Sequence, residues 1–169
     1  VARLQTLLPA GDEHRKRLVD TINCSLDYGN AYAQGRDFAQ RQFDAALTAR
    51  DHGAAARFLY CRASYEDILE GSNVALASLE RGIKLARTDD DDAALAQGLQ
   101  ARGNMESVLG HYGKALADSI EARRLFTQLD MDESANRTLQ DIGITYRRLG
   151  DQDKAHEYLE LAIAHQQEV

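Results

Sequence analysis

The chain has 169 residues, 44% of them hydrophobic and 28% charged, with one Pro, no Trp and two Cys. Its formal net charge is −7, a balance that argues against non-specific binding to nucleic acid, which needs phosphate-neutralising Lys and Arg. Charged and apolar residues interleave, which excludes a disordered composition, and no apolar run is long enough to span a membrane.

Residues 1–11 read as an N-terminal extension. Leu4, Leu7 and Leu8 give it a short apolar face, and Pro9-Ala10-Gly11 breaks it. A start at Val1 with no secretory signal is what a segment of a longer protein would show. Asp12 offers a helix N-cap, and the basic run His14-Arg15-Lys16-Arg17 reads as a solvated first turn. Leu18, Val19, Ile22 and Leu26 predict a helix running toward Gln34. Gly35-Arg36-Asp37 predicts a turn, and Phe38, Ala39, Phe43, Ala46 and Leu47 predict the returning helix. The first pair therefore covers residues 12–52.

Similar helical patterns predict pairs over 54–88, 91–129 and 132–167. Strand signals are missing, so the expected class is all-α, with eight helices in four antiparallel pairs. Cys24 and Cys61 fall on the first helices of successive pairs. Packed helix axes lie about 8–10 Å apart, and a disulfide needs Cα atoms within about 7 Å. Two free thiols are expected, which leaves the compartment open. Asp89 to Asp92 precede a helix. Calcium loops space their ligands around a turn Gly, whereas consecutive Asp at a helix start cap free amides and complement the dipole. Capping is the reading adopted.

No catalytic, metal or cofactor site is expected. His14, His52, His111, His156 and His165 pair into no ligand spacing, and His156-Glu157 lacks the second His one turn on. There is no Gly-rich phosphate loop and no nucleophile elbow.

The pattern recurs at a fixed period. Subtracting 40 from Leu139, Gly143, Leu149, Gly150 and Ala155 gives Leu99, Gly103, Leu109, Gly110 and Ala115. Subtracting 40 again gives Leu59, Ala63, Leu69, Glu70 and Ala75. The second helices align as Leu79, Ser119 and Leu159, then Gly82, Ala122 and Ala162. A fixed period of this kind is the signature of a solenoid. The first pair is irregular. Val19 fits Leu59 at 40, but Ala39 fits Ala75 at 36, a conflict of one helical turn.

From Leu139 to Ala162, small Gly143 and Ala155, large Tyr146 and the Leu149-Gly150-Asp151 pause sit at matched spacing. This stretch resembles the tetratricopeptide repeat, with Tyr146, Gly150 and Ala155 where that family has Tyr, Gly and Ala. The resemblance implies an α-α superhelix and a non-catalytic protein–protein interaction module. Its period exceeds the family's usual 34 residues. In this it is similar to the long repeats of bacterial multidomain signalling proteins, which precede a diguanylate cyclase, histidine kinase or DNA-binding output domain. A regulatory or sensory role in such a protein is the expectation that follows.

The same resemblance implies a binding groove on the first helix of each pair. Its residues are Arg57, Tyr60, Ser64 and Asp67, then Gln97, Gln100, Asn104 and Ser107, then Arg137, Gln140, Ile144, Arg147 and Arg148. Asn104 resembles the groove Asn that holds a peptide backbone, while the family's clamp lysines are absent. The arginines suit an acidic protein or peptide partner. Arg62 and Glu66, and likewise Arg102 and Glu106, stand where the family has apolar or aromatic residues. Each pair is four apart and close enough to bond, and a ladder between units would bring Arg102 to Glu66 or Glu106 to Arg62. This polar seam is the expected pocket of a rival function, a sensor of a small charged ligand. A third reading is a self-assembly module for an attached enzyme. On the last helix, Tyr158 and Leu161 point away from the stripe of Leu159, Ala162 and Ile163. An uncovered apolar face marks an interface, so a homodimer through Tyr158 or Leu161 is expected.

Overall fold

The computed structural model describes residues 32–167. The expected helix from Asp12, the basic run His14 to Arg17, Cys24 and the extension 1–11 lie outside the described residues. Seven helices are present among the described residues: α1 Tyr32–Thr48, α2 His52–Leu69, α3 Ser72–Thr88, α4 Asp92–Val108, α5 Tyr112–Gln128, α6 Asp132–Leu149 and α7 Gln152–Gln167. No strand occurs among them. Each helix packs on its neighbours in sequence, as in a helical solenoid. The first helices of successive pairs also touch directly, α2 on α4 and α4 on α6.

The 40-residue period governs the helix ends as well as the packing. Helices begin at 32, 72, 112 and 152, and at 52, 92 and 132. Arg50, Asp90 and Asp130 have φ of 56°, 51° and 54°, one left-handed residue after each of α1, α3 and α5. The next amide then reaches back to close the helix: Asp51 N to Ala46 O at 2.9 Å, Asp91 N to Ala86 O at 3.0 Å and Met131 N to Phe126 O at 2.9 Å. After α4 and α6 the left-handed residue is Gly110 or Gly150. Glu70 holds that place after α2, and its Cβ disfavours the left-handed region. The positive φ moves one residue on, to Gly71.

Asp51, Asp91 and Asp151 cap α2, α4 and α7, accepting from the amides of Ala54, Ala94 and Lys154. The Asp run has further duties. Asp89 accepts from the His52 amide at 3.1 Å and lies 2.7 Å from His52 Nδ1. Asp91 also takes Arg57 at 2.9 Å. These contacts tie the start of α2 to the loop that opens the next pair.

The first described helix corrects the expectation of a turn at Gly35-Arg36-Asp37. These residues lie inside α1. Gly35 is buried against the ring of Tyr65, which leaves no room for a Cβ. Gly35 is thus small for packing and not for a turn. It occupies the column of Ala75, Ala115 and Ala155, all buried. Ala39 then matches Leu79 and Ala46 matches Ala86 at 40 residues, and the apparent period of 36 disappears.

Small residues set the helix spacing within pairs. A Cβ on Gly143 would lie 2.8 Å from Leu159 Cγ, so α6 and α7 approach closely there. The core runs between units, where Ile83, Ala86, Leu99, Leu125 and Phe126 form one buried cluster. Cys61 is buried as a free thiol.

Candidate functional site

The face formed by α2, α4 and α6 carries the groove residues expected from sequence, and the structure divides them. Arg57 is engaged with Asp91. Tyr60 turns its ring between α3 and α4, against Gly82 and Gly98. Its hydroxyl is buried without a partner, and burial raises its pKa above the ordinary tyrosine value. Both side chains serve packing between units. Ser64 and Asp67 are exposed and bond locally, Ser64 to the Tyr60 carbonyl at 3.3 Å and Asp67 to the Ser72 hydroxyl at 2.7 Å.

The α4–α6 half is different. Gln97, Asn104, Arg137 and Arg147 are exposed, and Gln140 and Ile144 are half-buried. Arg137 makes only a surface pair with Glu133, at 3.1 Å. Ser107 is buried, with Thr145 Oγ1 and the Arg148 guanidinium each 3.0 Å from its hydroxyl. Between the two helices lies a cavity of about 160 Å³, lined by Asn104, Ser107, Val108, Asp141, Ile144, Thr145 and Arg148.

Sequence reasoning missed Asp141 and Thr145. Asp141 accepts from Gln100 Nε2 at 2.8 Å. Burial raises its pKa, while hydrogen bonds from Gln100 and Asn104 and the charge of Arg137 oppose that shift. The available signal was its column, since the 40-residue period places Asp141 with Cys61 and Ala101.

The polar seam opens elsewhere. Arg62 bonds Glu66 at 2.5 Å within α2, as the spacing allows. The other Glu66 oxygen accepts from Ser78 on α3, and Arg62 reaches Gln40 on α1. In the next unit the pairing within the helix does not form. Arg102 makes two bonds to Asp118 on α5, at 2.7 and 2.8 Å, and its pKa rises with them. Asp118 offers two oxygens to the planar guanidinium, a geometry that favours this fork. Glu106 takes His111 Nδ1 at 2.5 Å and Lys114 at 3.7 Å. The expected ladder from Arg102 to Glu66, or Glu106 to Arg62, is therefore replaced by contacts between first and second helices. A cavity of about 290 Å³ lies beside Glu80, Arg102, Glu106, Lys114, Ala117 and Asp118.

On α7, Tyr158 stacks on Tyr146 with ring centroids 5.5 Å apart. That contact corrects the expectation that Tyr158 points away from its pair. Leu161 is half-exposed, and so is Ile163, which the sequence pattern had placed in the inward stripe.

Residues 92–168 match the family model of the tetratricopeptide repeat. Over this stretch the chain is a tetratricopeptide repeat array. The matched stretch covers α4 to α7, and the same helix-pair unit recurs at 40 residues back to α1. No curated protein matches the chain. Tetratricopeptide repeats are protein–protein interaction modules, generally without catalysis. No described helix is long and apolar enough to cross a membrane.

Proposed function

We propose that the α4–α6 face of this tetratricopeptide repeat domain binds an extended protein or peptide segment carrying acidic side chains. The observation that carries this reading is the exposure of Arg137 and Arg147 on α6, one of the two helices that wall the α4–α6 cavity. Arg148 is held at the cavity edge by Ser107. A free guanidinium offers two parallel donors to a carboxylate. Exposed Gln97 and Asn104 add amides for a peptide backbone. The segment does no chemistry of its own. Its setting is the regulatory or sensory part of a larger signalling protein, with an output domain such as a diguanylate cyclase. The 40-residue period supports that setting by its similarity to long-period arrays of bacterial signalling proteins.

Replacing Arg137 and Arg147 by Glu should abolish binding of a capped oligoglutamate peptide and leave the helical circular dichroism intact. Unchanged affinity would overturn the reading.

The cavity of about 290 Å³ at Arg102 and Glu106 is what favours the second reading, a sensor of a small charged ligand. Its charges are already paired, Arg102 with Asp118 and Glu106 with His111 and Lys114. A charged ligand would have to displace one of those partners. On the α4–α6 face the pair to be displaced is the exposed one between Arg137 and Glu133, which is worth little in solvent.

A further inference from the structure

The buried carboxylates among the described residues have cations. Glu66 has Arg62, Asp118 has Arg102, and Glu106 has Lys114 besides its bond to His111. Asp141 differs. It is partly buried and lines an open cavity, and its hydrogen-bond partners are the neutral amides of Gln100 and Asn104, while Arg137, one turn away on α6, acts on it through charge and bonds Glu133 instead. A carboxylate withdrawn from water without a directly bonded cation is costly to keep ionised, and burial raises its pKa against the opposing charge of Arg137. A cation entering the cavity would offset it.

The rest of the lining selects the kind of cation. Ile144 and Val108 supply apolar wall, and Asn104 and Thr145 supply polar groups beside the acid. A short alkyl stem with a charged tip fits such a lining, apolar along its length and ionic at its end. One Asp141 oxygen, Oδ2, already accepts from Gln100, and Asn104 also donates to the carboxylate. A guanidinium fork needs two carboxylate oxygens side by side, whereas an ammonium is a point charge with rotatable donors. Arg148 also lines this cavity, and its guanidinium is held by Ser107. Because the cavity is open, solvent and salt weaken the repulsion between Arg148 and a second cation.

We propose that this cavity is a subsite for a lysine side chain of the bound partner, with Asp141 as counter-ion and Ile144 and Val108 flanking the methylenes. The proposal rests on the reading of the α4–α6 face as the partner groove. It refines the partner's chemistry to a lysine flanked by acidic residues, the acids facing Arg137 and Arg147.

The probe is n-butylammonium, the lysine side chain without a backbone, with 1-butanol as its uncharged counterpart. Methyl resonances of Ile144 and Val108 are followed by NMR in the whole chain. Butylammonium should move them saturably, and at least about tenfold more weakly in Asp141→Asn, as loss of a charge-assisted bond predicts. That variant keeps an acceptor oxygen for Gln100, and its amide spectrum reports that the fold is retained. No saturable shift, an equal response to 1-butanol, or an undiminished response in Asp141→Asn would each overturn the subsite. Oligoglutamate titrated into the same samples separates the two readings. If it binds while butylammonium does not, the lysine subsite alone fails. If butylammonium binds while oligoglutamate does not, the subsite stands and the acidic-partner reading fails.

Discussion

The Tyr60 hydroxyl occupies the place that a side-chain carbon on Gly98 would fill. Tyr60 belongs to α2 and Gly98 to α4, so this contact sets how closely two successive units stack. The hydroxyl is buried and has no hydrogen-bond partner. Gly98→Ala should destabilise the chain by about 1–3 kcal/mol through overpacking. Tyr60→Phe removes an unsatisfied group and should be neutral or stabilising. Combining Gly98→Ala with Tyr60→Leu, which removes both Oη and Cζ from beside the added carbon, should recover part of the Gly98→Ala loss, with a coupling of about 0.5–3 kcal/mol in urea melts. Strictly additive losses would show that the two residues do not share this space.

The charged pairs should differ sharply in worth. Glu66 is 1% exposed and bonded to Arg62. Arg62→Met keeps the stem but strands that carboxylate, and breaking a buried pair costs about 3–5 kcal/mol. Arg137 and Glu133 are 64% and 91% exposed, and Arg137→Ala should cost about 0–1 kcal/mol. Similar urea midpoints for the two variants would contradict the burial assigned to Glu66.

Asp141 gives a pH signature. Its folded pKa lies above the unfolded value because of burial, so the folded chain binds this proton more tightly than the unfolded chain. Ionised Asp141 therefore costs stability above its folded pKa. The cost fades as pH falls through that value and is gone below the unfolded value of 3.8. Asp141→Asn should resist urea better than wild type at neutral pH, and the gap should close on acidification. A gap that widens toward acid pH would reverse the sign and refute the assignment.

Leu161 and Ile163 on α7 are 49% and 50% exposed, but two residues apart they lie on different faces of the helix. Leu161 lies next to Tyr158 on the helix surface, three residues apart, and we propose that a second copy covers Leu161 through a two-fold contact. Sedimentation equilibrium should show concentration-dependent association that Leu161→Glu removes. A wild type that stays monomeric at high micromolar concentration would refute the contact. Tyr158, stacked on Tyr146, contributes less to it than Leu161.

What the sequence made legible was the period and the packing that depends on residue size. Gly143 under Leu159, and Ala75, Ala115 and Ala155 at helix contacts, follow from small residues recurring where backbones meet. Gly35 misled because a Gly-Arg-Asp triplet has turn chemistry, while its size was required by Tyr65, thirty residues away in the chain. The site was less legible. Spacing of four offered Glu106 to Arg102, but Asp118 on the neighbouring helix presents two oxygens and wins. Tyr60 reads as a groove aromatic until Gly82 and Gly98 provide a slot for it. Asp141 stands in a column of small apolar residues, and one acid there is visible only once the period is trusted.

The central claim is that the α4–α6 face receives the partner. Titration of the isotopically labelled chain with capped oligoglutamate, followed by amide NMR, tests it most directly. The account predicts saturable shifts centred on Arg137, Gln140, Ile144 and Arg147 of α6 and on Gln97 and Asn104 of α4, weakening as salt is raised. Shifts centred instead on α3, α5 or α7, or no saturable shift at all, would contradict it.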